Sequence, residues 1–231
     1  MTLWTWSQIK TKVKNDLDLN DEDFVDATML LAYANEAIDE AEQHVITINE
    51  DYLLQSANIA LVSGTADYSL PSNIYGNKIR RMFYDDGSKK YEIRRIRELS
   101  EIPGIQTGQD YLYMPYVNSS GAYKVKLLPS SAETSSTNVT VWFIGNANTL
   151  AVDADIMNIP EAVHFVMAHM KLRISQKEGH PAQLQFAQDV ERQRQLLVDT
   201  LTAMVPDDDN TILADYSFYN EFDNQYWGSL V

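Results

Sequence analysis

The 231-residue chain contains no cysteine. Disulfides, thiolate metal centres and cysteine nucleophiles are therefore excluded. No apolar run approaches the roughly 18 to 20 residues needed to span a membrane. The opening residues, MTLWTWSQIKTKVK, lack the apolar core of a secretory signal. The expected product is a soluble protein, made in a cytoplasm, with no membrane contact. Glycine is sparse, and the patterns GxGxxG, GxxxxGK(S/T) and GxSxG are all missing. A phosphate-cradling loop and a nucleophile elbow are thus not expected. Positive charge is short as well. Eighteen Lys and Arg stand against 33 Asp and Glu, a net charge of -15 at pH 7. Such a surface repels phosphate, which argues against general affinity for nucleic acid or anionic lipid. It suits a wall past which a duplex slides without being gripped.

Hydrophobic residues make up 45% of the chain, enough for a substantial core. Residues 2 to 16 fit a short amphipathic helix, with Leu3, Trp6, Ile9 and Val13 at spacings of three and four. A longer helix is expected from Asp23 or Asp26 to Val45, with Leu30, Tyr33, Ala34, Ala37, Ile38, Ala41 and Val45 on one face. The period then changes. NIALVSGTADYSLP, KIRRMFY, KKYEIRR, DYLYMPY, AYKVKLLP and NVTVWFIG read as a block of about six strands, with SSAETSST as a loop. Asp85-Asp86-Gly87 marks a hairpin, because Asp and Gly tolerate positive φ. Helical period returns at Asn158, with Pro160 and Glu161 in a first turn and Val163, Val166, Met167, Met170 and Ile174 on one face. Gly179 and Pro181 separate this helix from a last one, whose apolar face is Phe186, Ala187, Val190, Leu197, Leu201, Met204 and Val205.

The expected fold is α+β. It is an antiparallel helix bundle of two N-terminal and two C-terminal helices, with an inserted, mostly antiparallel β domain and an extended C-terminal arm. The boundaries fall at 1–56 for the first helix pair, 57–149 for the β domain, 150–205 for the second pair and 206–231 for the arm.

Few residues suggest chemistry. His164 and His169 are five apart and point to different helix faces, His44 and His180 lie far from them in sequence, and no HExxH is present. Surface or capping roles are expected for all four, and no metal. Glu36, Asp39, Glu40 and Glu42 crowd one helix and read as its solvated face. Paired carboxylates would be needed for a cell-wall hydrolase, and no spacing selects a pair. No catalytic residue and no cofactor is assigned. Asn35 is read as a helix side chain that hydrogen-bonds a nearby loop.

Two features point to partners. Lys78, Arg80, Arg81, Lys89, Lys90, Arg94, Arg95 and Arg97 are eight of the 18 basic residues, interrupted only by Asp85, Asp86 and Glu92. Three readings stay open: a solvated hairpin, a nucleic-acid contact, or a docking patch for something acidic. The stretch from Pro206 to Val231 carries the aromatics Tyr216, Phe218, Tyr219, Phe222, Tyr226 and Trp227 and six acids, with no Lys or Arg. Aromatics bury large areas at low entropic cost and anchor interfaces. The arm either packs on its own domain or grips a neighbour. An arm meeting the next subunit's basic hairpin would build a ring by heterologous contacts.

These pieces together resemble the head-to-tail adaptor proteins of short-tailed bacteriophages, the tail tubular protein A-like group. The features are the helix holding Asn35-Glu36-Ala37, then Gly64-Thr65-Ala66-Asp67-Tyr68-Ser69-Leu70-Pro71, the Asp85-Asp86-Gly87 hairpin, Leu127-Leu128-Pro129 and the Pro160-Glu161 helix pair. The resemblance covers residues 1 to 205. It implies a non-enzymatic virion protein of the neck or tail. Such proteins form a ring of twelve copies beneath the portal protein, with tail nozzle or fibre proteins attached below. Double-stranded DNA passes through the ring without specific binding. The alternatives are the hydrolase, another neck or connector component of a long-tailed phage, and a cytoplasmic binding domain.

Overall fold

The computed structural model describes residues 3–19, 25–97 and 111–204. The aromatic arm and Val205 lie outside them. The described elements are α1 (Trp6–Asp16), α2 (Ala27–Ile48), β1 (Leu54–Leu61), β2 (Asp67–Ser69), β3 (Ile74–Asp85), β4 (Lys90–Glu92), β5 (Arg94–Arg95), β6 (Leu112–Val117), β7 (Tyr123–Leu128), β8 (Ser135–Gly145), α3 (Val163–Glu178) and α4 (Gln183–Met204). The protein is thus mixed α+β, with four helices and two sheets among the described residues.

Helix α1 begins later than its apolar pattern. Thr5 and Gln8 form a reciprocal capping box that fixes the start at Trp6. Leu3 therefore lies outside the helix and is 55% exposed, while Trp6, Ile9 and Val13 are buried. Asp26 caps α2 by accepting from the Met29 N–H at 2.7 Å. The buried alanines Ala34, Ala37 and Ala41 let α3 approach closely.

Helix α3 is buried on nearly every side. Phe165, Ala168, His169 and Ser175 join the expected face in the interior. It contacts α1, α2 and α4, so the other three helices surround it. Gly179, at φ 65°, ends it in the left-handed conformation that glycine adopts freely. The face expected for α4 is mostly not a core face. Leu197 and Leu201 are buried and Val190 is half-buried, but Ala187 is exposed and Met204 is 47% exposed. The helix touches its neighbours along one narrow stripe.

The strands form two four-stranded sheets, in the orders β1-β8-β3-β4 and β2-β7-β6-β5. Every pairing is antiparallel except β5 with β6. Side chains of both sheets meet in one cluster that includes Leu61, Tyr68, Met82, Val125, Leu127, Val141 and Phe143. Tyr68 and Leu70 turn inward together, and the Tyr68 hydroxyl donates to the Thr65 carbonyl at 2.9 Å, closing the turn at Gly64. The Gly145 N–H donates to the Leu53 carbonyl at 2.9 Å, so the chain enters and leaves the strands side by side. That juxtaposition lets α1, α2, α3 and α4 share a second core with Leu53, Ile144 and Leu150.

Three segments differ from the sequence reading. The KKYEIRR run is not one strand. Ile93 is 3% exposed and donates its N–H to the Met82 carbonyl at 2.8 Å. Burial of Ile93 and then Ile96, three residues apart, breaks the two-residue alternation and sends the chain from the first sheet to the second. The hairpin loop has four residues between the Asp85–Lys90 pair, and in it only Gly87 takes a positive φ, of 85°. Asp86 contributes its carboxylate instead, accepting from the Ser88 and Lys89 N–H groups at 2.8 and 2.7 Å. Those bonds, Lys89's first, hold its carboxyl below the usual range. The polar SSAETSST stretch is also only partly a loop, since β8 starts at Ser135.

Candidate functional site

The basic cluster divides into three groups. Lys78 and Arg80 tie β3 to the α2–β1 turn. Lys78 Nζ meets Glu50 Oε1 at 2.7 Å, and Arg80 reaches Glu50 Oε2 at 2.5 Å and Asp51 Oδ1 at 2.7 Å. The Lys78 bond, with that from Arg80, holds the Glu50 carboxyl below its usual range. Lys89 and Lys90 sit at the hairpin, where Lys90 faces Asp85 at 3.7 Å. Arg80, Arg81, Arg94, Arg95 and Arg97 line an open cleft of about 800 Å³ with Tyr113, and among the described residues Glu92 is its one acid. Burial pushes the Tyr113 hydroxyl up, against the pull of Arg95. Lys78, Lys89 and Lys90 do not belong to this cleft.

A β-bulge sets its edge. Ile79 pairs with Phe143 and Met82 with Val141, both pointing into the core between the sheets. Arg81 pairs with Trp142, and the register shifts between Ile79 and Arg81. Two residues, Arg80 and Arg81, therefore occupy the outward step opposite the single Trp142. Without the bulge, alternation would send one arginine inward. Trp142 lies on a strand flanked on both sides, yet it is 40% exposed, as is Leu54 beside it. Asp51, Leu54, Arg80, Arg81, Phe83 and Trp142 line a shallow depression that shares its two arginines with the cleft. Sequence reasoning missed Trp142 and Leu54. The available signal was Trp142 at an outward step of NVTVWFIG, between Val141 and Phe143.

The helical side uses its ionisable groups differently. Glu36 pairs with Arg173, and Glu42 accepts from the Ala147 N–H. Burial raises the Glu42 carboxyl. Glu40 faces His169 at 3.7 Å and His44 at 4.0 Å. Three of the four acids read as a solvated face thus tie α2 to its surroundings, because α3 and the 146–150 segment pack against that side. His169 is not a surface histidine. It is 7% exposed, lies against Phe165, and its Nδ1 has no hydrogen-bond partner among the described residues. Burial lowers its pKa below the usual 6.5, although Glu40 pulls the other way. Asn35 holds the loop as read: its amide donates to the Leu150 carbonyl at 3.0 Å and its carbonyl accepts from the Leu150 N–H at 2.8 Å.

Among the described residues no group of three or more His, Asp or Glu is placed to hold a metal ion. No helix there is long and apolar enough to cross a membrane. The arrangement joins ion pairs that brace the fold to an outward surface of arginine and tryptophan, the residue types that dominate protein interfaces. Its class is a structural interaction protein. The particular family follows from comparison: residues 4–218 match the model of the SU10 adaptor protein family, and the chain belongs to that family. It is a structural adaptor of a bacteriophage, which puts it in the virion in contact with other head or tail proteins. No curated protein matches the sequence.

Proposed function

We propose that the protein is the head-to-tail adaptor of a short-tailed phage. Copies form a ring, of twelve by resemblance, between the portal protein and the tail nozzle or fibre proteins. The ring lines the channel through which double-stranded DNA leaves the head. The observation that carries this reading is the family match along nearly the whole chain. The net charge of -15 supports a lining that repels phosphate and lets a duplex move. In this reading the helices of 1–56 and 150–205 complete one antiparallel bundle around the central α3. The strands of 57–149 form a β domain that projects from it. Residues 206–231 are an arm whose aromatics, Tyr216 to Trp227, grip a neighbouring protein. The basic residues from Lys78 to Arg97 dock an acidic surface.

Electron microscopy of the protein mixed with the portal of the same phage tests the proposal. A ring of subunits added to the portal by the full chain, and lost on removal of residues 206–231, supports both the adaptor role and the arm. No added density with either protein removes the portal as direct partner.

A further inference from the structure

We infer that the bulged face of the first sheet is the docking site for residues 206–231 of a second copy of this chain. The site runs from Leu54 and Trp142 across Arg80 and Arg81 and over the cleft to Arg94 and Arg95 on β5 of the second sheet. The inference rests on the adaptor reading only for the ring that such contacts would close.

The face has the composition of an interface centre. Trp142 on the inner strand β8 and Leu54 on the neighbouring edge strand β1 leave apolar area in water. The bulge puts two arginines on the strand step opposite that tryptophan, and both line the same depression with it. Glu50 and Asp51 hold Arg80 in place, so binding would cost little ordering of that side chain. Arg81, Arg94 and Arg95 make no ion pair among the described residues, and a carboxylate ligand would accept two hydrogen bonds from each. The occupant must offer carboxylates and aromatic rings together.

The chain carries one segment of that chemistry. Residues 206–231 hold six acids and six aromatics without a single Lys or Arg, and they begin two positions after α4 ends at Met204. Fully extended, they would span about 90 Å, so reach does not confine them to their own subunit. Nucleic acid fits less well, because a chain of charge -15 repels phosphate outside this one patch. Site and segment are different surfaces. One copy's segment on the next copy's face leaves a further segment free, which is the heterologous contact that closes rings.

The lack of native cysteine gives a direct test. Ser56 sits directly opposite Trp142 on β1 and is exposed on the same face. Full-length Ser56→Cys protein is mixed with full-length Ser217→Cys protein under mild oxidation. A disulfide between the two chains is expected. Its yield should fall at least about fivefold when Trp142→Ala or Arg81→Glu is added to the Ser56→Cys chain. Ser120→Cys, on the exposed β6–β7 turn, serves as the reference. A yield no higher than that reference overturns the inference. So does closure within one molecule, at a rate independent of concentration, in a chain carrying both cysteines. Protection of the Ser56→Cys thiol by added duplex DNA, and not by a second copy, also overturns it. Rings seen on the portal without the disulfide would defeat this inference and leave the adaptor reading standing. The disulfide without rings on the portal would do the reverse.

Discussion

The helical side and the first sheet hold opposite charges in opposite ways. On the helices, carboxylates are paired by groups of the fold itself: Glu36 by Arg173, Glu40 by His169 and His44, Glu42 by the Ala147 N–H, and Asp16 by Lys171 at 2.5 Å. On the sheet, Arg81 faces outward with Arg94 and Arg95 of the second sheet, and among the described residues Glu92 is the one acid lining their cleft. A carboxylate already satisfied by its own chain serves to brace the fold. An arginine held on an exposed face beside a tryptophan is available to a partner. The same division separates residues whose loss should unfold the protein from residues whose loss should leave it folded and alone.

The largest expected effect lies in the helical core. Phe165 is 1% exposed between α2 and α4, and Phe165→Ala should cost about 3–5 kcal/mol in urea unfolding. Trp142→Ala should cost far less, because the ring is already 40% in water. Equal losses at the two sites would break the comparison. Next comes Asn35→Ala. It leaves the Leu150 N–H and carbonyl without partners and should cost about 2 kcal/mol by the same measurement.

The third effect depends on pH. His169 is held neutral by burial, so its folded pKa lies below the ordinary 6.5. Its contribution to stability is complete above that value and is lost as pH falls through the folded pKa, where the buried ring must take a charge. Glu40, facing the ring at 3.7 Å, opposes that lowering without reversing it. Unfolding midpoints should fall between pH 7 and 5 in the native chain, with a shallower fall in His169→Gln. Parallel curves for the two proteins would deny His169 this role.

The smallest effects on stability should come from the exposed arginines. Arg94→Glu and Arg95→Glu should each shift stability by less than about 0.5 kcal/mol while weakening self-association in sedimentation. Arg80→Glu should do more, because it places an acid beside Glu50 and Asp51 and breaks the tie from β3 to the α2–β1 turn.

Helices and most strands were legible because their apolar residues follow one clean period. Ile9 and Val13 on α1, and Val125 and Leu127 on β7, lie in the interior as their spacing requires. Asn35 was legible too, since a polar residue on an apolar helix face needs a partner. What the sequence hid depends on contacts between distant segments. His169 looked peripheral until α2 brought Glu40 to it. The acids of α2 looked solvated because nothing local announces Arg173 or Ala147. Most of all, the bulge at Arg80 is a matter of register between β3 and β8. Only that pairing decides whether the two arginines share the face of Trp142. The basic cluster was visible as a run of charge, but its division into bracing, hairpin and outward groups was not.

The most direct measurement is a map of the assembled particle at side-chain resolution, viewed at the outer face of the first sheet in each subunit. The account predicts chain density from residues 206–231 of an adjacent copy against Trp142 and Arg81. A face that stays bare in the ring, or one covered by DNA, would contradict it.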